Sequence, residues 1–211
     1  MTQRAANCPG CGAPVRFLWS SAVQTNCPYC HSVIVRTDVD LEKVGEVADL
    51  PPDASPIQIG TEGQFDNKNF LVVGRIRYAW KQGNWNEWHI AFSDGSDGWL
   101  ADAQLTYAVS FAKPGMAPAV NADSLEPGQA FTFENRAYVV TTNTRASYVG
   151  FEGELPFTTA GHEQMLFSDL RTEDAHFGTL DFSDAAPVLY LGREVEYDEL
   201  KLKNVRMFEG W

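Results

Sequence analysis

The chain has 211 residues, enough for one medium domain or two to three small ones, and its 28 acidic against 16 basic side chains give a formal charge of −12. Hydrophobic residues make up 44% of it, with 13 Phe, 7 Tyr and 6 Trp, which excludes wholesale disorder. Apolar runs no longer than Phe70-Leu71-Val72-Val73 exclude a membrane span, and the N-terminus lacks the apolar stretch of a secretory signal.

The charge is uneven. Residues 1–37 contain Arg4, Arg16 and Arg36 and no acid, so they carry +3, whereas residues 38–211 sum to −15. This step predicts two units of different physical role meeting at Thr37-Asp38. An acidic body repels phosphate, so nucleic acid is not expected as the main partner.

All four cysteines lie near the N-terminus, as Cys8-Pro9-Gly10-Cys11 and Cys27-Pro28-Tyr29-Cys30. Two such turns can each supply two thiolates to one tetrahedral ion, and the spacing is that of a structural zinc site. Disulfides or free thiols are the alternative; without an export signal the compartment is reducing, which disfavours disulfides. Short strands around Val15–Trp19, Val23 and Val33–Val35 complete the pattern of a zinc ribbon over residues 1–37. His31 follows Cys30 directly, but four cysteines already close the site, so it is expected outside the ligand set. A closed four-thiolate site leaves no position for water, which points to structural Zn2+. Thiolates and metal together lower the ribbon's +3 to about +1.

Residues 38–56 read as a linker. Val39–Val44 can make one or two helical turns, and Pro51-Pro52-Asp53-Ala54-Ser55-Pro56 is stiff and incompatible with helix. Strands follow. From Phe70 to Tyr78, alternation places Phe70, Val72, Gly74, Ile76 and Tyr78 on one face. After a turn at Gln82-Gly83-Asn84, the segment from Trp85 to Phe92 places Trp85, Glu87, His89 and Ala91 together. Trp99-Leu100, Tyr107–Phe111, Phe177–Phe182 and Val188–Leu191 read as further strands, and Val195–Phe208 as a final amphipathic piece.

An ungapped offset of 68 residues matches Gly60 to Gly128, Phe65 to Phe133, Asn67 to Asn135, Phe70 to Tyr138 and Val72 to Val140. The pattern suggests an internal repeat, although turn chemistry can produce such matches by convergence. The expected fold is therefore mainly β: the ribbon, then two small antiparallel β-barrel or sandwich modules at 57–113 and 123–211, joined by a linker at 114–122. The second includes a C-terminal extension.

Catalytic signatures are sparse. Glu87 and His89 share a strand face, the start of a general-base arrangement, but alternation alone predicts an exposed polar face there, and that is the preferred reading. His162 and His176 read as surface histidines, and Asp169, Glu173, Asp174, Asp181 and Asp184 as a solvated acidic run. Phosphate-loop, dinucleotide, zincin and nucleophile-elbow motifs are missing. Trp85 and Trp88 lie on opposite faces of one strand, so Trp85 is expected to meet the second module or a partner.

Gly74-Arg75-Ile76 with Tyr78, Gly83-x-Trp85-Asn86-Glu87-Trp88, Phe92, Asp94-Gly95, Gly98-Trp99-Leu100 and Gly153-Glu154-Leu155-Pro156 resemble the bacterial domain of unknown function 4178 family. The resemblance runs from Cys8 to about Val205 and transfers no site beyond the four cysteines. It implies a cytoplasmic accessory role, in the setting of phage-shock-type membrane-stress proteins and polyamine aminopropyltransferases. The leading expectation is a non-enzymatic, zinc-stabilised module that docks a protein partner, with indirect membrane association. The alternative is an enzyme or ligand-binding accessory of polyamine or lipid metabolism, with Arg75, Trp85, Glu87 and His89 as its binding face.

Overall fold

A computed structural model describes residues 5–37, 41–47, 50, 53–103, 105–161 and 163–208. The expected boundary at Asp38, the Pro51-Pro52 pair and His162 lie outside the described residues. Among the described residues the regular structure is β, with two short 3-10 turns at Ala122–Ser124 and Tyr197–Leu200. Among the described residues no helix is long and apolar enough to cross a membrane.

Strands β1 (Ala5–Asn7) and β2 (Pro14–Arg16) form a hairpin around the first cysteine pair. Strands β3 (Gln24–Asn26), β4 (Ser32–Arg36) and β5 (Leu41–Glu46) make a three-stranded sheet around the second. β5 corrects the expected helical turns. The segment instead pairs with β4 from Arg36–Leu41 to Ser32–Glu46, and a bulge leaves Val44 unpaired and 55% exposed. A free strand edge offers a short segment more hydrogen bonds than an isolated helical turn, whose nucleation is unfavourable.

The remaining strands form one antiparallel sheet of ten. The first unit contributes β6 (Glu62–Phe65), β7 (Lys68–Trp80), β8 (Gly83–Phe92), β9 (Asp97–Ala103) and β10 (Thr106–Ala112). The second contributes β11 (Ala130–Phe133), β12 (Arg136–Gly153), β13 (Gln164–Arg171), β14 (His176–Asp181) and β15 (Val188–Val195). β10 pairs with β15, and the far half of β12 pairs with β7. These two seams close β7-β8-β9-β10-β15-β14-β13-β12 into a ring of eight strands, with β6 and β11 flanking it.

The two units repeat one another in backbone detail at the 68-residue offset. Asp66-Asn67 and Glu134-Asn135 both form left-handed hairpin turns. The amide of Gly60 donates to the Val72 carbonyl, and that of Gly128 to the Val140 carbonyl, each at 2.8 Å. A β-bulge follows at Val72/Gly74 in β7 and at Val140/Thr142 in β12. Each unit also has its own hydrophobic cluster, with Ile57, Phe65, Phe70 and Val72 in one and Leu125, Phe133, Tyr138 and Val140 in the other.

The bulge corrects the face assignment made from simple alternation. Phe70 and Val72 pack in the first unit's cluster, but Ile76 and Tyr78 turn to the inside of the ring. One extra residue in a strand inverts the parity of everything beyond it. Inside the ring, Ile76 and Tyr78 meet Trp99, Ala146, Phe151, Leu155 and Met165, a cluster drawn from both units.

The C-terminal extension crosses back to the first unit. Leu200 is buried among its core residues, and the Arg206 amide donates to the Pro56 carbonyl at 2.7 Å.

The β10–β15 seam depends on Gly192, where an added Cβ would stand 2.1 Å from the Val109 carbonyl oxygen and 2.8 Å from Ser110 Cα. Gly192→Ala is expected to lower stability by roughly 2–3 kcal/mol in chemical denaturation, as overpacking against backbone does. Gly45→Ala, with open space at its Cβ, should change it by less than about 0.5 kcal/mol.

Candidate metal centre and barrel lumen

The two cysteine turns are built alike. The amide of Cys8 donates to Ala13 O at 2.8 Å and that of Cys27 to Ser32 O at 2.9 Å, while Gly12 and His31 donate to Cys8 O and Cys27 O. Gly12 and His31 both adopt left-handed φ, 78° and 58°. His31 thus occupies the turn position that Gly12 fills in the first pair, outside the sulfur cluster. The four Sγ atoms lie within 4.8 Å of one another, with Cys8–Cys30 at 3.7 Å and Cys11–Cys27 at 3.8 Å. A tetrahedral ion about 2.3 Å from each thiolate would space the sulfurs by about 3.8 Å, so the cluster fits one metal ion. The Gly10 amide donates to Cys8 Sγ at 3.3 Å. Hydrogen bonds from the Ser32 hydroxyl and amide lower the Cys30 thiol to about 6.

This unit is docked on the barrel. The Glu154 carboxylate, 3% exposed, accepts the amides of Leu18 at 2.5 Å and Trp19 at 2.7 Å. Burial raises Glu154 to about 7 against the pull of those two amides. Leu155 adds strand-like bonds, accepting from Val23 and donating to Gln24 O, both at 2.9 Å. Gly74 lets the chain carrying Glu154 approach β7, since a Cβ there would stand 2.0 Å from Glu154 O. Trp19 meets His89 edge-on at 4.7 Å. His89 is fully buried, with Nδ1 2.9 Å from the Glu154 carbonyl oxygen and Nε2 3.2 Å from Asp97.

The ring of eight strands encloses a cavity of about 530 Å³ to which every one of its strands contributes lining. Alternate residues point inward, among them Tyr78, Trp85, Glu87, Trp99, Ala101, Phe167, Asp169, Asp181 and Tyr190. Trp85 packs on Tyr78 at 5.2 Å and on Phe167 of the second unit at 6.1 Å, the intermodule contact expected of it. Glu87 accepts the Trp85 indole N–H at 3.1 Å. Burial, reinforced by Asp169, Asp181 and Asp102, pushes Glu87 up to about 8, although the Trp85 bond opposes the shift. Asp169 accepts the hydroxyls of Thr142 at 3.0 Å and Thr179 at 3.1 Å.

The four residues of the expected binding face are thus divided. Trp85 and Glu87 line the lumen. His89 follows on the same strand face but lies beneath the cysteine unit. Arg75 points to the opposite side of the sheet, 2% exposed, stacked on Trp88 at 4.8 Å and paired with Asp53. Its Nε and Nη2 donate to Asn86 Oδ1 at 3.0 and 2.7 Å. Arg75 is a structural residue, and Asp53, expected in a linker, is its buried counterion.

The acidic run is corrected as well. Asp174 is solvent-facing, bonded to Arg136 at 2.6 Å and to His176 at 2.9 Å, but Asp169 and Asp181 line the cavity. Their signal was present as period-two alternation: Phe177, Thr179 and Asp181 face inward, and Gly178 and Leu180 outward. With no sign that the ring closes, an inward polar face and a solvated one have the same pattern.

Removing Glu154 leaves the amides of half-buried Leu18 and buried Trp19 unpaired, so Glu154→Ala should cost about 2–4 kcal/mol. Trypsin should then cut at Arg16 or Arg36 before the barrel is attacked. Metal analysis should find one ion per chain, lost in Cys27→Ser.

No curated protein and no solved structure matches the chain. A family model does, over residues 58–197, which span β6 to β15 and leave the cysteine unit outside. The chain with this ring, lumen and Gly74/Glu154 junction therefore belongs to the family described as Domain of unknown function (DUF4178).

Proposed function

We propose that the protein is a cytoplasmic, non-enzymatic ligand-binding barrel, with the lumen as its site and the cysteine unit as a zinc-stabilised cap on one end. The observation that carries this reading is the cavity of about 530 Å³ lined from all eight strands of a closed ring. Eight strands make an interior just wide enough to be filled by side chains or to hold one small ligand, and the volume is within the ordinary range for ligand sites. Small residues on two neighbouring strands, Ala101, Ala103 and Ala108, leave the space open.

Zinc suits the four-thiolate set, and a closed site of this kind stabilises a fold without offering a coordination position to substrate. The enzymatic alternative set Glu87 beside His89 on one strand face, as the start of a general-base arrangement. The burial of His89 outside the lumen, with both ring nitrogens engaged, argues against that pairing. A protein partner on the exposed side of the cysteine unit is a second reading, favoured by Tyr29, which is 66% exposed at the tip of the second turn.

Ala101→Phe discriminates a binding cavity from a collapsible gap. The substitution should change stability by less than about 1 kcal/mol, because the ring fits into open space, and should abolish small-molecule thermal shifts seen with the parent protein. Destabilisation by about 3 kcal/mol or more would mean that the lumen is a packed core, and the reading would fail.

A further inference from the structure

The lining of the lumen specifies a charge class. Glu87, Asp169 and Asp181 all face the cavity, and the basic residue on its wall, Arg171, is paired with Glu194 and stacked on Phe177 at 5.5 Å. Glu87 Oε1 accepts from Trp85, while its Oε2 has no hydrogen-bond partner among the described residues. Glu87 lines the cavity, so a group that enters from outside can reach its carboxyl.

The walls around it are the rings of Tyr78, Trp85, Trp99, Phe167 and Tyr190. Aromatic faces carry negative potential and attract cations, the more so where water is excluded. An anion would face both the carboxylates and these faces. A neutral apolar ligand would cover the Glu87 carboxyl without supplying a hydrogen-bond partner to it, which is costly.

Resting on the ligand-binding reading, we propose that the lumen binds an organic cation with N–H donors, an alkylammonium or linear diamine, held by Glu87 and Asp169 between aromatic walls. A quaternary ammonium fits the aromatic faces but supplies no hydrogen to Glu87 Oε2, so primary ammonium is the better match. Burial raises Glu87 to about 8, which favours its protonated form at neutral pH in the empty lumen. Entry of the cation converts it to carboxylate, and the displaced proton leaves to solvent.

The titratable groups around Glu87 are Tyr78 on β7, Asp102 on β9, Asp169 on β13, Asp181 on β14 and Tyr190 on β15. Burial raises both tyrosines, keeping them neutral throughout the range tested. With Glu87 at about 8, affinity for the cation should rise about fiftyfold from pH 6 to pH 8, with up to one proton released per cation.

The test is calorimetric titration of the intact, zinc-loaded chain with 1,4-diaminobutane, its uncharged isostere 1,4-butanediol, and butyrate, at both pH values. Tight binding of the diamine alone, rising with pH, is the expected result. Glu87→Gln, close in shape to the protonated acid, should keep the parent melting temperature, weaken diamine binding at pH 8 by about tenfold or more and flatten the pH dependence. Binding of the diol or butyrate as well as the diamine would overturn the cation assignment and leave the ligand-binding reading standing. Failure of the diamine to bind at millimolar concentration would overturn the assignment too. Only if Ala101→Phe also proves strongly destabilising does the ligand-binding reading fall with it.

Discussion

The architecture depends on one extra residue in each of two long strands. The bulges at Val72/Gly74 and Val140/Thr142 let a single strand serve two interiors. Before the bulge its even-numbered side chains complete the core of its own unit, and beyond it they face the ring shared by both units, until a second irregularity at Tyr148/Gly150 in β12 turns Phe151 inward. A regular strand would have committed Ile76 and Tyr78 to the same side as Phe70 and Val72, and the ring would have lost its aromatic wall. The bulge also sharpens the local twist, which helps to explain how so few strands close.

The likeness of the two units supplies the second half of the closure. Equivalent strands meet across both seams, β10 with β15 and β7 with β12, so two copies of a five-strand unit complete each other's open edges. Unpaired edges are a liability for a monomeric sheet, and here each copy covers the other's. The copies then diverge where they meet the rest of the chain. By strand pairing, Gly74 and His89 in the first unit correspond to Thr142 and Asp169 in the second. The first pair lies under Trp19 and the Glu154 anchor. The second pair lines the cavity, with Thr142 exposed and its hydroxyl fixing the Asp169 carboxylate. One pole is capped, and the pole related to it carries polar groups open to a ligand.

The cap is joined to the lumen by contacts rather than by proximity alone. Trp19 lies on His89, His89 lies 5.1 Å from Trp99, and Trp99 lies 5.9 Å from Phe157, which also lines the cavity. A metal ion that holds the two cysteine turns together would therefore also hold the floor of the barrel in place. This explains physically why a small unit with little core of its own accompanies the larger domain: its apolar residues, including Val15, Phe17 and Trp19, share a cluster with Val73 and Ala91 of the barrel.

Local information in the sequence determined a good deal. Cysteine spacing placed the four clustered thiols, because a C-x2-C turn needs only neighbouring residues to present two sulfurs. Period-two alternation located most of the long strands, and the 68-residue offset was legible because the turn glycines and the left-handed Asn67 and Asn135 are demanded by backbone geometry within a few residues. What lay beyond reach was long-range. The β5 strand exists only because β4 leaves an edge for it, and Arg75 is structural only because Asp53 is folded against it. Glu87, Asp169 and Asp181 come from three strands that sequence alternation could place on a face but not around a common space. Whether a polar face meets water or encloses a cavity depends on closure of the ring, and closure is a property of strand pairing between residues as far apart as Tyr107 and Val195, which only the tertiary structure decides.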